Sequence, residues 1–143
     1  MKIQYHIGLS LSIALALYAV YRSAAMATAS FFAGVLLDAD HVFEYLREYG
    51  FRFDKKFFFN SFHYTLYRKI VLPFHAWEWL VLLAVLPVFS LGSYVSIGII
   101  IGMGQHLIAD QFTNSVHRWG YFISYRVWKK FITSKIFPGK GLL

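Results

Sequence analysis

The sequence predicts an all-α protein of the membrane class: a polytopic membrane helical bundle of about four transmembrane helices, with interfacial amphipathic helices beside them. Three observations carry this. Of 143 residues, 58% are hydrophobic and 20% aromatic. Only 15% are charged, where a soluble domain carries about 25%. The mean hydropathy is +0.51, and the apolar residues gather in runs long enough to read as spans. A soluble bundle of this length has too little core to hide that much apolar surface. The length suits one unit, a single integral membrane domain over residues 1–143.

The first apolar segment covers 3–21 and the second 24–37, with Arg22 and Ser23 as the turn. At 1.5 Å per residue they are short for a hydrocarbon core of about 30 Å. The third covers 70–89 and the fourth 94–112, joined by a turn around Gly92. Pro73 is expected in the first turn of the third span, where its missing N–H does little harm. Met1 and Lys2 ahead of an apolar run, with Ser23, Ala24 and Ala25 after it, have the look of a signal sequence. Arg22 beside the cleavage position and the second apolar run directly after it argue for a retained span.

Between the second and third segments lies a polar and aromatic connection, 40–69. Its first part, 41–49, is expected to form a short helix ending at Gly50. Phe57, Phe58, Phe59, Phe62, Tyr64 and Tyr67 alternate with Lys55, Lys56, Arg68 and Lys69. Aromatic rings and snorkelling bases favour the head-group layer. Residues 121–137 repeat that pattern with Arg126, Lys129, Lys130 and Lys135, and predict an amphipathic helix lying on the membrane. In a four-span topology every Lys and Arg but Arg22 falls on one side, which the positive-inside rule makes cytoplasmic, with both termini. The net charge of +7 then answers anionic lipid head groups rather than nucleic acid. There is no cysteine, which excludes disulfides, thiolate metal sites and cysteine nucleophiles.

The same topology gathers the other ionisable residues. His6 lies near the start of the first segment, and Asp38 and Asp40 at the end of the second. His75 and Glu78 open the third; His106 and Asp110 close the fourth. Odd segments begin where even ones end, so all four groups reach one membrane face. His106 and Asp110 are four residues apart and share a helix face; His75 and Glu78, three apart, are expected to do the same. Taken singly, His6 reads as an interfacial histidine, the two aspartates as a helix end, and Glu78 as a partner for a neighbouring indole. Together they suggest a shared site, since buried charges must pair or bind metal. Helical bundles build metal centres from such inward carboxylates and histidines.

These residues resemble a family. The segments His6-Ile7-Gly8, Gly34-Val35-Leu36-Leu37-Asp38-Ala39-Asp40-His41 and His106-Leu107-Ile108-Ala109-Asp110-Gln111-Phe112-Thr113 look like the bacterial inner-membrane family of membrane-bound metal-dependent hydrolases. That family's pattern is an early His, a G-x-L-x-P-D-x-D-H-like turn, His-Arg and Thr-His-Ser elements, then H-x-x-x-D followed by Thr. Leu37 stands where the family has Pro, His63-Tyr64 departs from His-Arg, and Phe74-His75-Ala76 replaces Thr-His-Ser. The departures leave the role of His63 open and make His75 the better ligand. The late H-x-x-x-D is similar to that of zinc-dependent phospholipases C and single-strand nucleases, as analogy only.

The reading that follows is a metal-dependent hydrolase of the bacterial cytoplasmic (inner) membrane, multi-pass, acting at the cytoplasmic face on a phosphoester of a lipid or lipid-linked substrate. His6, Asp38, Asp40, His75, His106 and Asp110 are the expected metal ligands, Glu78 the general base or an extra ligand, and His41 and Gln105 their orienting partners. Imidazole with carboxylate points to zinc first, then manganese, iron or magnesium, as one ion or two. The same cluster in a proton-coupled carrier would show flux in proteoliposomes. In a non-catalytic scaffold it would hold a structural metal or salt-bridge network with every coordination position filled.

Overall fold

The computed structural model describes residues 3–51, 54, 56–58, 67–85 and 93–138. His63, the aromatic residues Phe59, Phe62 and Tyr64 expected in the head-group layer, the bases Lys2, Arg52, Lys55 and Lys140, the end of the expected third segment at 86–89 and the expected turn at 90–92 lie outside them. The described residues are mostly helical and contain no strand; one isolated bridge joins Lys69 to Ile132.

Three long helices form the frame: α1 (Ile3–Tyr21), α2 (Ala24–Leu36) and, later in the chain, α5 (Tyr94–Thr113). Arg22 takes a left-handed φ of 51°, which reverses the chain in two residues. The Ser23 hydroxyl then accepts a hydrogen bond from the Met26 N–H and caps α2. The inward stripe of α1 is His6, Ser10 and Ala14; that of α2 is Met26, Ser30 and Gly34. Each is spaced by four, so each forms one helix face. Small residues bring the backbones together. A Cβ on Gly102 of α5 would run into the Ser30 carbonyl of α2, and α2 with α5 is the most extensive helix pair. The large apolar side chains point the other way: Leu15, Val20 and Tyr18 on α1, and Phe32 and Leu36 on α2, are exposed.

After α2 a two-residue turn at Leu37-Asp38 leads straight into α3 (Ala39–Tyr49), the helix expected over 41–49. It stops at Gly50, whose φ of 73° favours a glycine. Helix α4 (Trp77–Val85) packs on α5. Here the structure corrects the sequence reading, because residues 70–76 are not helical. Pro73 therefore sits ahead of the helix rather than in its first turn. Leu72 has φ 45°, a left-handed conformation that costs a leucine about 1–3 kcal/mol, and no helix runs through it.

The expected single helix over 121–137 is also corrected. It is two short helices, α6 (Ile123–Trp128) and α7 (Thr133–Ile136), broken where Lys130 and Phe131 take φ of 54° and 59°. The break folds the tail over the 67–76 segment. Tyr67, Ile70, Leu72, Ile136 and Phe137 form one buried cluster there, and the Ile70 N–H donates to the Phe131 carbonyl.

Among the described residues one helix, α1, is long and apolar enough to cross a membrane by length and composition. Helix α5 has 20 residues, but Gln105, His106, Asp110 and Gln111 lower its hydropathy.

Candidate metal centre

Four helix ends and one loop meet at a single buried layer. His6 comes from the first turn of α1. Asp38 and Asp40 come from the α2–α3 turn and the start of α3. His75 comes from the loop ahead of α4, and His106 and Asp110 from the second half of α5. His6, Asp40, His75, His106 and Asp110 are all 2% exposed or less.

At the centre, four donor atoms face one another. His75 Nε2 and His106 Nε2 are 3.1 Å apart. Asp38 Oδ1 lies 3.8 Å from the first and 3.6 Å from the second. Asp110 Oδ2 lies 3.8 Å and 3.6 Å from the same two nitrogens. Ligands about 2.0–2.1 Å from a tetrahedral zinc sit about 3.3–3.4 Å from each other. The observed spacings bracket that edge length.

The outer nitrogens fix what the inner ones offer. His75 Nδ1 is 3.1 Å from Asp40 Oδ2, and His106 Nδ1 is 2.6 Å from the Gly34 carbonyl. Both partners only accept, so both Nδ1 atoms carry the proton in the neutral ring. Both Nε2 atoms then present lone pairs to each other and to two carboxylate oxygens. Four acceptors at such distances repel unless a cation lies among them. The outer carboxylate and carbonyl are the orienting partners that ligating histidines have.

Around this core the other residues take definite places. His6 Nε2 is 3.0 Å from Asp110 Oδ1, the oxygen turned away from the centre, and its ring stacks on His106 at 3.9 Å. The Tyr121 hydroxyl donates to Asp110 Oδ2 at 3.4 Å and accepts from Asn114 Nδ2. His41 Nε2 is 3.6 Å from Asp38 Oδ1. His6 with His106 and Asp110, and Asp38 with His41 and His75, each form a donor group close enough to hold a metal ion. The outer edge is at Asp38 and His41, whose side chains are 13% and 22% exposed.

Three expected residues stand elsewhere than the sequence placed them. Asp40 turns Oδ2 to the N–H groups of Phe74 and His75 and to the His75 ring, so it meets the centre through that ring. Burial pushes its carboxyl up to about 6, against the pull of those N–H donors. Gln105 donates to Ser10 Oγ at 2.7 Å and ties α5 to α1. Glu78 does not share a face with His75, because the helix begins only at Trp77. Its Oε1 instead accepts from the Ser124 N–H and hydroxyl, both at 2.9 Å.

Two residues were passed over. Glu44 is fully buried, and its Oε1 accepts from the N–H groups of Val71 and Leu72. The available signal was its spacing, one helical turn after Asp40. Arg126, read as a snorkelling base, is fully buried and donates to the carbonyls of Val71, Leu72 and His75. Burial pulls its guanidinium down to about 10, still charged at neutral pH. Nothing in the sequence marks it out from its neighbours Lys129 and Lys130. The chain matches no protein-family model, no curated protein and no solved structure.

Proposed function

We propose that this protein is a multi-span membrane hydrolase with a divalent metal centre, zinc by ligand chemistry, acting on a phosphoester of a lipid or lipid-linked substrate. The observation that carries the metal is the pair of imidazole Nε2 atoms 3.1 Å apart, with two carboxylate oxygens beside them. The membrane reading is supported by the inverted helices, which turn Ser10, Ala14, Ser30 and Gly34 inward and Leu15, Val20 and Leu36 outward. In four spans the polar layer lies at head-group depth, on the side holding every Lys and Arg but Arg22. That side is cytoplasmic, and an anionic head group is drawn to it. The inner-membrane hydrolase family that the Asp-x-Asp-His and His-x-x-x-Asp motifs resemble is consistent with this.

In this reading His75, His106 and Asp110 hold the ion, since all three are closed off from outside. Asp40, the Gly34 carbonyl, His6 and Tyr121 orient them. In the hydrolase Asp38, at the exposed edge, would give up the fourth position to a water and hydrogen-bond it. Glu78 is spent on Ser124, so Asp38 takes the general-base role. It would accept a proton from the attacking water as that water's oxygen bonds to phosphorus, and return it to the leaving oxygen as the old phosphorus–oxygen bond breaks. The ion would supply a Lewis acid and make water acidic near neutral pH.

A structural ion is the second reading, favoured by Asp38 Oδ1, which stands as close to both imidazole nitrogens as Asp110 Oδ2 does, at 3.6–3.8 Å. Metal content of the detergent-purified protein tests both against Asp110→Ala. One or two equivalents of zinc or manganese, lost in the variant, is the expected result. Turnover in a screen of lipid phosphoesters, lost in Asp38→Asn with metal retained, then selects the hydrolase. Stoichiometric metal with no turnover selects the structural ion, and no metal after reconstitution rejects both.

A further inference from the structure

We infer that Glu44 and Arg126 are positioning residues: together they clamp residues 69–76 in the backbone conformation that delivers His75 to the metal centre. This deepens, and rests on, the metal reading above.

A partly buried segment that is neither helix nor strand must find partners for its buried backbone polar groups elsewhere. Residues 69–76 find most of theirs in side chains. Glu44 Oε1 takes the N–H of Val71 at 2.8 Å and of Leu72 at 2.9 Å. Arg126 Nη1 gives to the carbonyls of the same two residues at 2.7 and 2.9 Å, and Nη2 gives to the His75 carbonyl at 2.8 Å. At Val71 and Leu72 the anion thus holds the donors and the cation the acceptors. Arg47 extends the clamp, bridging Glu44 Oε2 at 2.7 Å and the Lys69 carbonyl at 2.6 Å. Trp79 Nε1 closes it at the Pro73 carbonyl.

Leu72 has a left-handed φ, so the segment is held against its local preference. Both clamping side chains are fully buried. Burying charge is a poor route to stability, because well-packed apolar residues serve as well or better. What charge supplies here is direction. The guanidinium fork fits three carbonyls in fixed relative positions, which an ammonium cannot do. The Arg126 bond to the His75 carbonyl and the Asp40 bonds to the His75 N–H and ring then set both the backbone and the rotation of that one residue.

The test compares full-length wild type with Glu44→Gln, Arg126→Lys and Arg126→Met in detergent. Zinc affinity is measured by competition with a chelating dye. Circular dichroism, thermal midpoint and backbone hydrogen exchange are read alongside. Glu44→Gln and Arg126→Met should bind zinc about 10–100-fold more weakly, the range known for lost orienting partners. Helicity should be unchanged, and faster exchange should be confined to 70–76. Arg126→Lys should not restore wild-type affinity. If Arg126→Met does not fold, Glu44→Gln decides alone, since it keeps the shape and one acceptor. Wild-type zinc affinity in a folded Glu44→Gln overturns the clamp. Wild-type protein that binds no zinc overturns the metal reading instead; exchange at 71–75 then decides the clamp, faster supporting it and unchanged overturning it.

Discussion

At the end of the helices that holds His6, Asp38, His106 and Asp110, neighbours meet through directed contacts of 2.6–3.8 Å between named atoms. At the other end, where α1 finishes and α5 begins, the inward positions are Ala14, Met26, Ser96 and Gly98, and the outward ones include Leu15, Val20, Val85 and Tyr94. Backbones there approach through small residues, and contact is spread over many weak dispersion terms. The first end fixes individual atoms; the second fixes only the distance between helices. A protein that must hold a cation needs the first kind of precision in one layer. The second kind suffices to hold that layer together.

Substitutions should separate the two ends sharply. The largest effect is expected for His106→Ala, which removes one of the two facing imidazoles and leaves the Gly34 carbonyl without its donor. Bound metal, measured by mass spectrometry on purified protein, should fall to background, together with any activity. Metal at full occupancy in that variant would remove His106 from the centre.

A smaller effect is expected where the two regions join, at Gly34. A methyl group there would collide with Gln105 Nε2 and Ser10 Oγ, so Gly34→Ala should force that bond apart and shift the carbonyl that orients His106. Zinc affinity should fall about tenfold, at the lower edge of orienting-partner losses, with metal still bound at saturation. Unchanged affinity would show that the α1–α2–α5 contact gives without disturbing the site. The smallest effect is expected for Leu15→Ala on the outward face of α1, 62% exposed. Its stability in detergent should stay within about 0.5 kcal/mol of wild type, and its metal content should not change. A large loss of stability would mean that this face packs against protein.

The helical class was legible because apolar runs and charge placement are properties of the sequence itself. So was the α1–α2 turn at Arg22 and Ser23, and the short helix that stops at Gly50. The convergence of His6, Asp38, His75, His106 and Asp110 was legible for the same reason: alternating helices return to the same end. Orientation within that layer was not. Asp38 and Asp40 are two residues apart and chemically alike, yet one faces the four-donor centre and the other holds the His75 ring from behind. Only the course of α3 separates them. Glu78 was assigned by helical spacing from His75, and that spacing failed because the helix starts two residues after His75.

The sequence by itself determined which residues are apolar, where α1, α2, α3 and α5 run and which ends carry ionisable groups. These follow from the periodicity and charge of local segments. Tertiary structure alone decided that Arg126 is buried, that Glu44 grips Val71 and Leu72, and that two histidines 31 positions apart point the same nitrogen at each other. The physical reason is the irregular 69–76 segment. It has no periodicity to read, and its backbone takes its shape from side chains far away in the chain.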